Sequence, residues 1–352
     1  MSLTPITADA LISRFDDFDA VIDARSEDEF AYDHLPGAVN WPTLNNIERI
    51  QIGTLYKQVN PFEARKRGAA IAARNIAAHI EREVIGKPKD WKPLAYCWRG
   101  GQRSGALSMV LGQIGFRVTL VEGGYKAFRA AMLRDVDRMV ASLRFQVVCG
   151  PTGSGKTRLL QALSTQGAQV LDLEALANHR SSVLGAIPGV AQPSQKRFDT
   201  LIWDALRHID PSKPVFVESE SKKVGNLALP NSLVEAMRLS PCLNLQLPDS
   251  ERVALLMEDY DHLVRDVDFL CDRLTVLIPL RGRAVVNAWM ALARSGQLPQ
   301  VVQDLLTQHY DPAYLQSMQR NFVQFNDSKI IVPNDHSKTA MADLSTQILQ
   351  DI

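Results

Sequence analysis

Residues 144–163, RFQVVCGPTGSGKTRLLQAL, run from an apolar strand through a glycine-rich turn into a helix. Inside them, residues 150–157 (GPTGSGKT) satisfy the spacing G-x-x-x-x-G-K-[ST], in the strand-before, helix-after context that its mechanism demands. Amides from Gly153 to Lys156 are expected to cradle phosphate oxygens, the Lys156 ammonium to neutralise them, and the Thr157 hydroxyl to sit on a magnesium ion. The expected phosphate-binding set is therefore Gly150, Gly153, Ser154, Gly155, Lys156 and Thr157, with Thr157 as the metal ligand.

Downstream of this turn, QVLDLEAL, KPVFVESES and PCLNLQLP read as strands, each followed by a helical pattern. Asp172, Glu174, Glu218 and Glu220 stand at the ends of two of them, as metal ligands, as a base or as caps of the next helix. Residues 260–325 read as mostly helical, with one last strand at SKIIVP and a helix at TAMADLSTQILQ. Upstream, FDAVIDARS, KPLAYCW and RVTLVEGG are strand-like and alternate with helical stretches, which predicts a parallel sheet covered on both faces. Residues 45–93 form a helical insertion in which Ala72, Ile76, Ile80 and Val84 recur at four-residue steps. The expected organisation is α/β: residues 1–135 as a parallel-sheet domain with that insertion, and 136–352 as a P-loop NTPase-like α/β domain with a helical C-terminal part. A charged helix over 133–144 is expected to bridge the two.

With 352 residues and 46% apolar composition, two cores are affordable. Lys plus Arg and Asp plus Glu both number 39, so any nucleic-acid surface must be a local patch. One such patch is Lys57, Arg65, Lys66, Arg67 and Arg74, with Arg67 and Arg74 on one helical face. A second run is Arg129, Arg134, Arg138 and Arg144. The opening residues lack a basic segment followed by an apolar one, no run approaches the roughly 18 apolar residues of a membrane span, and the four cysteines lack metal spacing. A cytoplasmic protein without membrane association is expected, with Cys149, Cys242 and Cys271 as packed thiols.

The remaining cysteine sits in YCWRGGQRSG, residues 96–105. A strand ending at Cys97 and a loop entering a helix aim amides and a helix N-terminus at the sulfur, which favours the thiolate. Arg99 and Arg103 add positive charge, and Gly100 and Gly101 supply the backbone freedom such a nest uses. Around it, VIDARSEDEFAYDHLPGAVNWP resembles the opening of a rhodanese domain, at Asp23, Arg25, Glu29, Phe30, His34, Pro36 and Gly37, and GFRVTLVEGGYKAF resembles its close. That resemblance implies that Cys97 carries a transferred chalcogen as a persulfide or its selenium counterpart, with His34 structural. Common single-domain rhodaneses have four residues between cysteine and arginine, whereas CWRGGQR has five, the interval of protein phosphatases. The loop alone therefore permits chalcogen transfer or phosphatase and arsenate reductase chemistry, and a wider nest suits selenophosphate.

The combination is similar to one family, the bacterial tRNA 2-selenouridine synthases, through GTLYKQVNPFEARKRGA, CWRGGQRSG, VCGPTGSGKTRLL, LDLEALANHR, QPSQKRFDTLIWDAL, the VESES strand with VGN after it, and HYDPAYLQS. Ser181 departs from the glycine expected in ANHRSS. The resemblance implies that selenium from selenophosphate replaces sulfur in wobble 2-thiouridine of tRNA, through an S-geranyl intermediate made from geranyl diphosphate. A monomer without a tightly bound cofactor is expected, with magnesium at the diphosphate. A small-molecule sulfurtransferase or Cys-dependent phosphatase fused to a P-loop kinase is the competing reading of the same two motifs.

Overall fold

The computed structural model describes residues 3–351 other than 100, 181 and 183. The chain divides into two compact units, Met1–Arg138 with Pro193–Asp204, and Met139–Gln192 with Ala205–Ile352.

Among the described residues, the first unit is built on a five-stranded sheet in the order β1-β5-β4-β2-β3, with β1 at Leu3–Ile6, β2 at Ala20–Asp23, β3 at Ala38–Asn40, β4 at Pro93–Tyr96 and β5 at Val118–Val121. Every pair is parallel, and central β4 is buried along its whole length, as a strand covered on both faces requires. Strands β1 and β3 were not expected from sequence. β1 (LTPI) is a mostly exposed edge strand carrying Pro5, tolerated where one side of the ladder is open, and β3 is three residues long inside a turn-rich connector.

The insertion forms two helices, Asn46–Gln58 and Pro61–His79, each started by an asparagine whose side chain accepts first-turn amides. Asn45 makes a capping box with Glu48, and Asn60 is followed by Pro61 at the first helical position. The four-residue stripe faces inward: Ile76 and Val84 join the core of Ile22, Trp41, Trp91, Leu107 and Phe116, and Ile80 packs against it where the helix passes into a π turn at Ile80–Val84.

The segment Pro193–Asp204 differs from the expectation of one domain over 136–352. Its helix, Gln195–Leu206, buries Phe198, Ile202 and Trp203 completely. Trp203 lies edge-on to Phe15 and Phe128, with centroids 5.4 Å away in both cases, and its Nε1 donates to Asp135 at 2.9 Å. Asp199 meets Arg129 at 2.5 Å, and the Thr200 hydroxyl donates to Asp33 at 3.1 Å. The apolar face of this helix is satisfied by a partner distant in sequence, so no local pattern announces it. In the second arginine run Arg129 is half-buried against Asp199, while Arg134, Arg138 and Arg144 stay exposed, the first two pairing with Asp9 and Asp135 and the third donating to the Ser212 carbonyl.

The second unit repeats the plan. Its strands are β6 (Arg144–Cys149), β7 (Gln169–Leu171), β8 (Pro214–Glu218), a short antiparallel hairpin β9 (Lys223–Val224) and β10 (Leu227–Ala228), then β11 (Cys242–Leu245) and β12 (Lys329–Ile331). The five longer ones form a parallel sheet in the order β12-β11-β6-β8-β7. A helical part from Asp249 to Asn321 packs around Leu274, Val286, Trp289 and Val301. Cys149, Cys242 and Cys271 are buried, and hydrogen bonding to Cys242 together with burial holds the Cys149 thiol far above its usual range.

Replacing Trp203 by Ala removes a fully buried indole. The expected cost is about 3–5 kcal/mol, read as a lower urea midpoint by circular dichroism. An unchanged midpoint would show that residues 193–204 do not stabilise the fold.

Candidate active sites

The first site begins with a buried ion pair. Asp23, at the end of β2, accepts from the Arg25 amide at 2.9 Å and pairs with its guanidinium at 2.6 Å, both side chains being at most 1% exposed. Burial alone would lower the Arg25 pKa, but the adjoining carboxylate outweighs it and keeps the guanidinium firmly charged. Arg25 also donates to the Asp33 carbonyl at 2.6 Å, and Tyr96, last residue of β4, donates to Asp23 at 2.7 Å while accepting from Leu35 at 3.1 Å. The connector and the strand end are thus tied to one charge pair. His34 belongs to this scaffold: its ring stacks on Phe30 with centroids 3.9 Å apart, and its Nδ1 lies 2.9 Å from the Phe30 carbonyl.

Cys97 follows Tyr96 directly and is 3% exposed. Its carbonyl accepts from the Tyr125 amide at 2.8 Å and that of Trp98 from Lys126 at 3.1 Å, which fixes the start of the turn. The helix Gln102–Ile114 begins at the far end, and the Ser104 hydroxyl donates to Cys97 Sγ at 3.1 Å. Burial pushes the thiol up, but the hydroxyl and amide of Ser104, the charge of Arg103 and the Gly101 amide outweigh it and bring the pKa below the ordinary value. Ser104 was not among the expected site residues. Its signal was its place in the first turn of the helix, beside Arg103.

Arg103 is gripped at two points by Glu29, at 2.7 and 3.3 Å. Burial raises the Glu29 pKa, and Arg103 reverses that and holds it below the usual carboxylate range. Arg99 is exposed. Gly101 has φ −102° and open space where a Cβ would go, so it is not a left-handed position; Gly100 and Ser181 lie outside the described residues. Lys196, from the segment at 193–204, places its ammonium 5.6 Å from the Trp98 ring centroid, 5.5 Å from that of Tyr32 and 6.0 Å from that of Tyr125.

The second site follows β6. Gly150 has φ +153°, and a Cβ there would fall 2.6 Å from the Leu245 carbonyl; Gly155 has φ +88° and caps the helix Lys156–Thr165. HYDPAYLQS buttresses this turn: Tyr314 accepts from the Gly150 amide at 2.6 Å, and Asp311 holds buried Arg252, which donates to the Thr152 carbonyl at 2.8 Å. The Ser154 hydroxyl is buried without a partner, and Lys156 folds back onto the Gly150 carbonyl at 2.7 Å. Burial holds the Lys156 pKa below the usual lysine value despite the carboxylates of Glu174, Glu220 and Glu218 around it.

The acidic candidates separate. Thr157 Oγ1 donates to Glu174 at 3.1 Å, which joins the expected metal ligand to one carboxylate. Asp172 accepts from the Ala175 amide at 2.8 Å and caps the helix Leu173–Ala177. Glu218 accepts from the Glu174 amide at 2.8 Å; burial, then the charges of Glu220, Asp172 and Glu174, keep its carboxyl protonated well above the ordinary range. Among the described residues, no three His, Cys, Asp or Glu side chains converge as a metal cage. A magnesium ion that keeps most of its waters and phosphate ligands needs only the Thr157 and Glu174 pair.

A cavity of about 980 Å³ opens over Gly153, Lys156, Thr157, Glu174, Glu220 and Tyr314. An apolar slot between the later helices, lined by Leu184, Met257, Leu298, Val301 and Leu305, shares Thr152, Leu256, Tyr260 and Tyr310 with it. Away from both sites, Lys57, Arg65, Lys66, Arg67 and Arg74 are all exposed on the insertion helices, with Lys66 2.5 Å from Glu63 and Arg74 3.2 Å from Glu48.

A family model described as a rhodanese-like domain matches residues 7–131, and one described as a tRNA 2-selenouridine synthase AAA domain matches 143–268. A protein named tRNA 2-selenouridine synthase from Nitrosomonas europaea is 37% identical over 244 residues, 68% of this chain and 63% of that one, so the match spans less than two thirds of that relative. One of the same name from Aeromonas salmonicida is 34% identical over 265 residues, 74% of this chain and 70% of its own length. A solved rhodanese-like domain protein from Staphylococcus aureus is 20% identical over 36% of this chain and 91% of that one, with a TM-score of 0.24.

Since the thiolate is the reacting form, iodoacetamide labelling of Cys97 should rise with pH through a midpoint below that of an ordinary thiol, near ~8.5. Ser104→Ala moves that midpoint upward and slows labelling at neutral pH several-fold. Coincident profiles for the two proteins would exclude Ser104 as a stabiliser of the anion.

Proposed function

The chain belongs to the tRNA 2-selenouridine synthase family, and from that premise we propose that it exchanges the sulfur of wobble 2-thiouridine in tRNA for selenium, with selenophosphate as donor and an S-geranyl intermediate made from geranyl diphosphate. The observation that carries the prenyl step is the wall shared by the phosphate-loop cavity and the apolar slot. A diphosphate seated on the amides of residues 153–156 can extend a hydrocarbon tail past Leu256 and Tyr260 between the later helices.

The chemistry supports this order. Thione sulfur is a poor leaving group from C2, but its alkylation expels diphosphate and leaves an electrophilic carbon bearing a thiolate-type leaving group. Selenium then displaces the geranylthiolate. Neither step formally requires ATP hydrolysis, so Lys156 and Thr157 hold the prenyl diphosphate. Magnesium held by Thr157 and Glu174 would neutralise the departing diphosphate. Cys97, between Ser104 and Arg103, is the nucleophile that meets the selenium donor. The exposed basic residues of the insertion, Lys57, Arg65, Lys66, Arg67 and Arg74, offer the tRNA a salt-sensitive surface. The protein works as a monomer in the cytoplasm; among the described residues no helix is long and apolar enough to cross a membrane.

Mass spectrometry of tRNA nucleosides tests the whole scheme. With both donors, the unaltered protein yields 2-selenouridine, Cys97→Ser accumulates the S-geranyl nucleoside and makes no selenonucleoside, and Lys156→Ala leaves 2-thiouridine unchanged. Selenation by Cys97→Ser at the normal rate, or no product from the unaltered protein, would overturn it.

A further inference from the structure

We propose that Cys97 attacks the phosphorus of selenophosphate, not its selenium, so that the loop accepts a phosphoryl group and releases hydroselenide for the base. This rests on the donor assigned above and specifies which of its atoms the thiolate meets.

The residues that decide it are Arg103, Ser104 and Glu29, set around Cys97. Five residues separate Cys97 from Arg103, an interval that in cysteine-dependent phosphatases encloses a phosphate. Ser104, the next residue, donates to Cys97 Sγ at 3.1 Å, and the two-point grip of Glu29 at 2.7 and 3.3 Å fixes the plane of the Arg103 guanidinium. Main-chain amides and a fixed guanidinium recognise a tetrahedral oxyanion through its oxygens. With three phosphoryl oxygens in such a cup, in-line displacement puts the selenium opposite the sulfur, as the leaving group.

Electron counting points the same way. Selenium in selenophosphate is already at the level of selenide, so loading it onto Cys97 through an S–Se bond would require a two-electron oxidant or reduction of phosphorus. Cys97 is the sole cysteine of the first unit, whose sequence therefore offers no partner thiol as oxidant. Attack at phosphorus needs neither. The Cys97 thiolate forms an S–P bond, the P–Se bond breaks with its electron pair going to selenium, and hydroselenide departs. Water then cleaves the S–P bond, giving inorganic phosphate and restoring the thiolate. Hydroselenide displaces geranylthiolate at C2, and its proton passes to N3 of the base, which carries none in the S-geranyl form.

The donor itself brings the leaving group's proton: singly protonated selenophosphate supplies the hydrogen of hydroselenide as the P–Se bond breaks, and because hydrogen selenide is a stronger acid than a thiol no second proton is needed. Among the scaffold carboxylates, Glu29 is held by Arg103, Asp23 pairs with Arg25, and Asp33 accepts from Tyr125 and Thr200. Ser104 would stabilise the sulfur twice, as attacking anion and as departing anion when the S–P bond is hydrolysed.

The experiment mixes the full chain with selenophosphate and an S-geranylated anticodon oligonucleotide, quenches with acid, and weighs the Cys97 peptide while nucleosides are read in parallel. Phosphate on Cys97 is expected, several-fold more abundant in Ser104→Ala because its hydrolysis is slowed. Selenium on Cys97, or an unmodified Cys97 in both proteins while selenonucleoside forms, overturns the inference. Inorganic thiophosphate with no RNA separates this from the function itself. Sulfide release that is lost in Cys97→Ser and blocked by orthovanadate supports attack at phosphorus even if no nucleoside product appears, and no sulfide release from the unaltered protein counts against it.

Discussion

The carboxyl end of the central strand of a parallel sheet is where each unit can hold a negative charge. In both, the third strand of five leads straight into the chemistry: β4 into Cys97, and β6 into Gly150 and the phosphate loop. A chain that leaves such a strand and turns into a helix presents amides and a helix N-terminus without a partner anion of its own. The first unit places its own cysteine sulfur at that position, and the second is the one proposed above to receive a phosphate. Around each turn, buried charge is used as scaffold. The Asp23–Arg25 pair ties the connector to Tyr96, and Arg252 with Asp311 props Thr152.

Much of this was legible. GPTGSGKT and the alternation of apolar runs with helical patterns are short-range signals, and they gave both sheets and both turns. The stripe of Ile76, Ile80 and Val84 pointed to a helix face that does pack inward. What sequence left out depends on contacts between distant residues or on very short elements. β1 and β3 exist because neighbouring strands offer a ladder, not because LTPI or AVN prefers one. Asp172 could not be told from a metal ligand by composition, and only its bond to Ala175 identifies it as a cap. Ser104 carries no charge that would single it out beside the arginines of the loop, although its hydroxyl is what touches the sulfur.

The helix Gln195–Leu206 carries a further consequence. Residues that follow the phosphate loop in sequence complete the packing of the first unit, through Phe198, Trp203 and the Asp199–Arg129 pair. They also bring Lys196 over Trp98, the residue after the nucleophile. A cut between the two sequence motifs would therefore leave the cysteine-bearing unit without part of its core.

The proposed division of tasks between the two turns predicts that the prenyl step can be bypassed. The direct measurement supplies Lys156→Ala with selenophosphate and tRNA that already carries S-geranyl-2-thiouridine, and follows 2-selenouridine with time. If the phosphate loop serves only the alkylation, this variant converts the prepared tRNA at a rate close to that of the unaltered protein. A variant unable to use the prepared tRNA, while remaining folded and able to bind it, would contradict the division of labour.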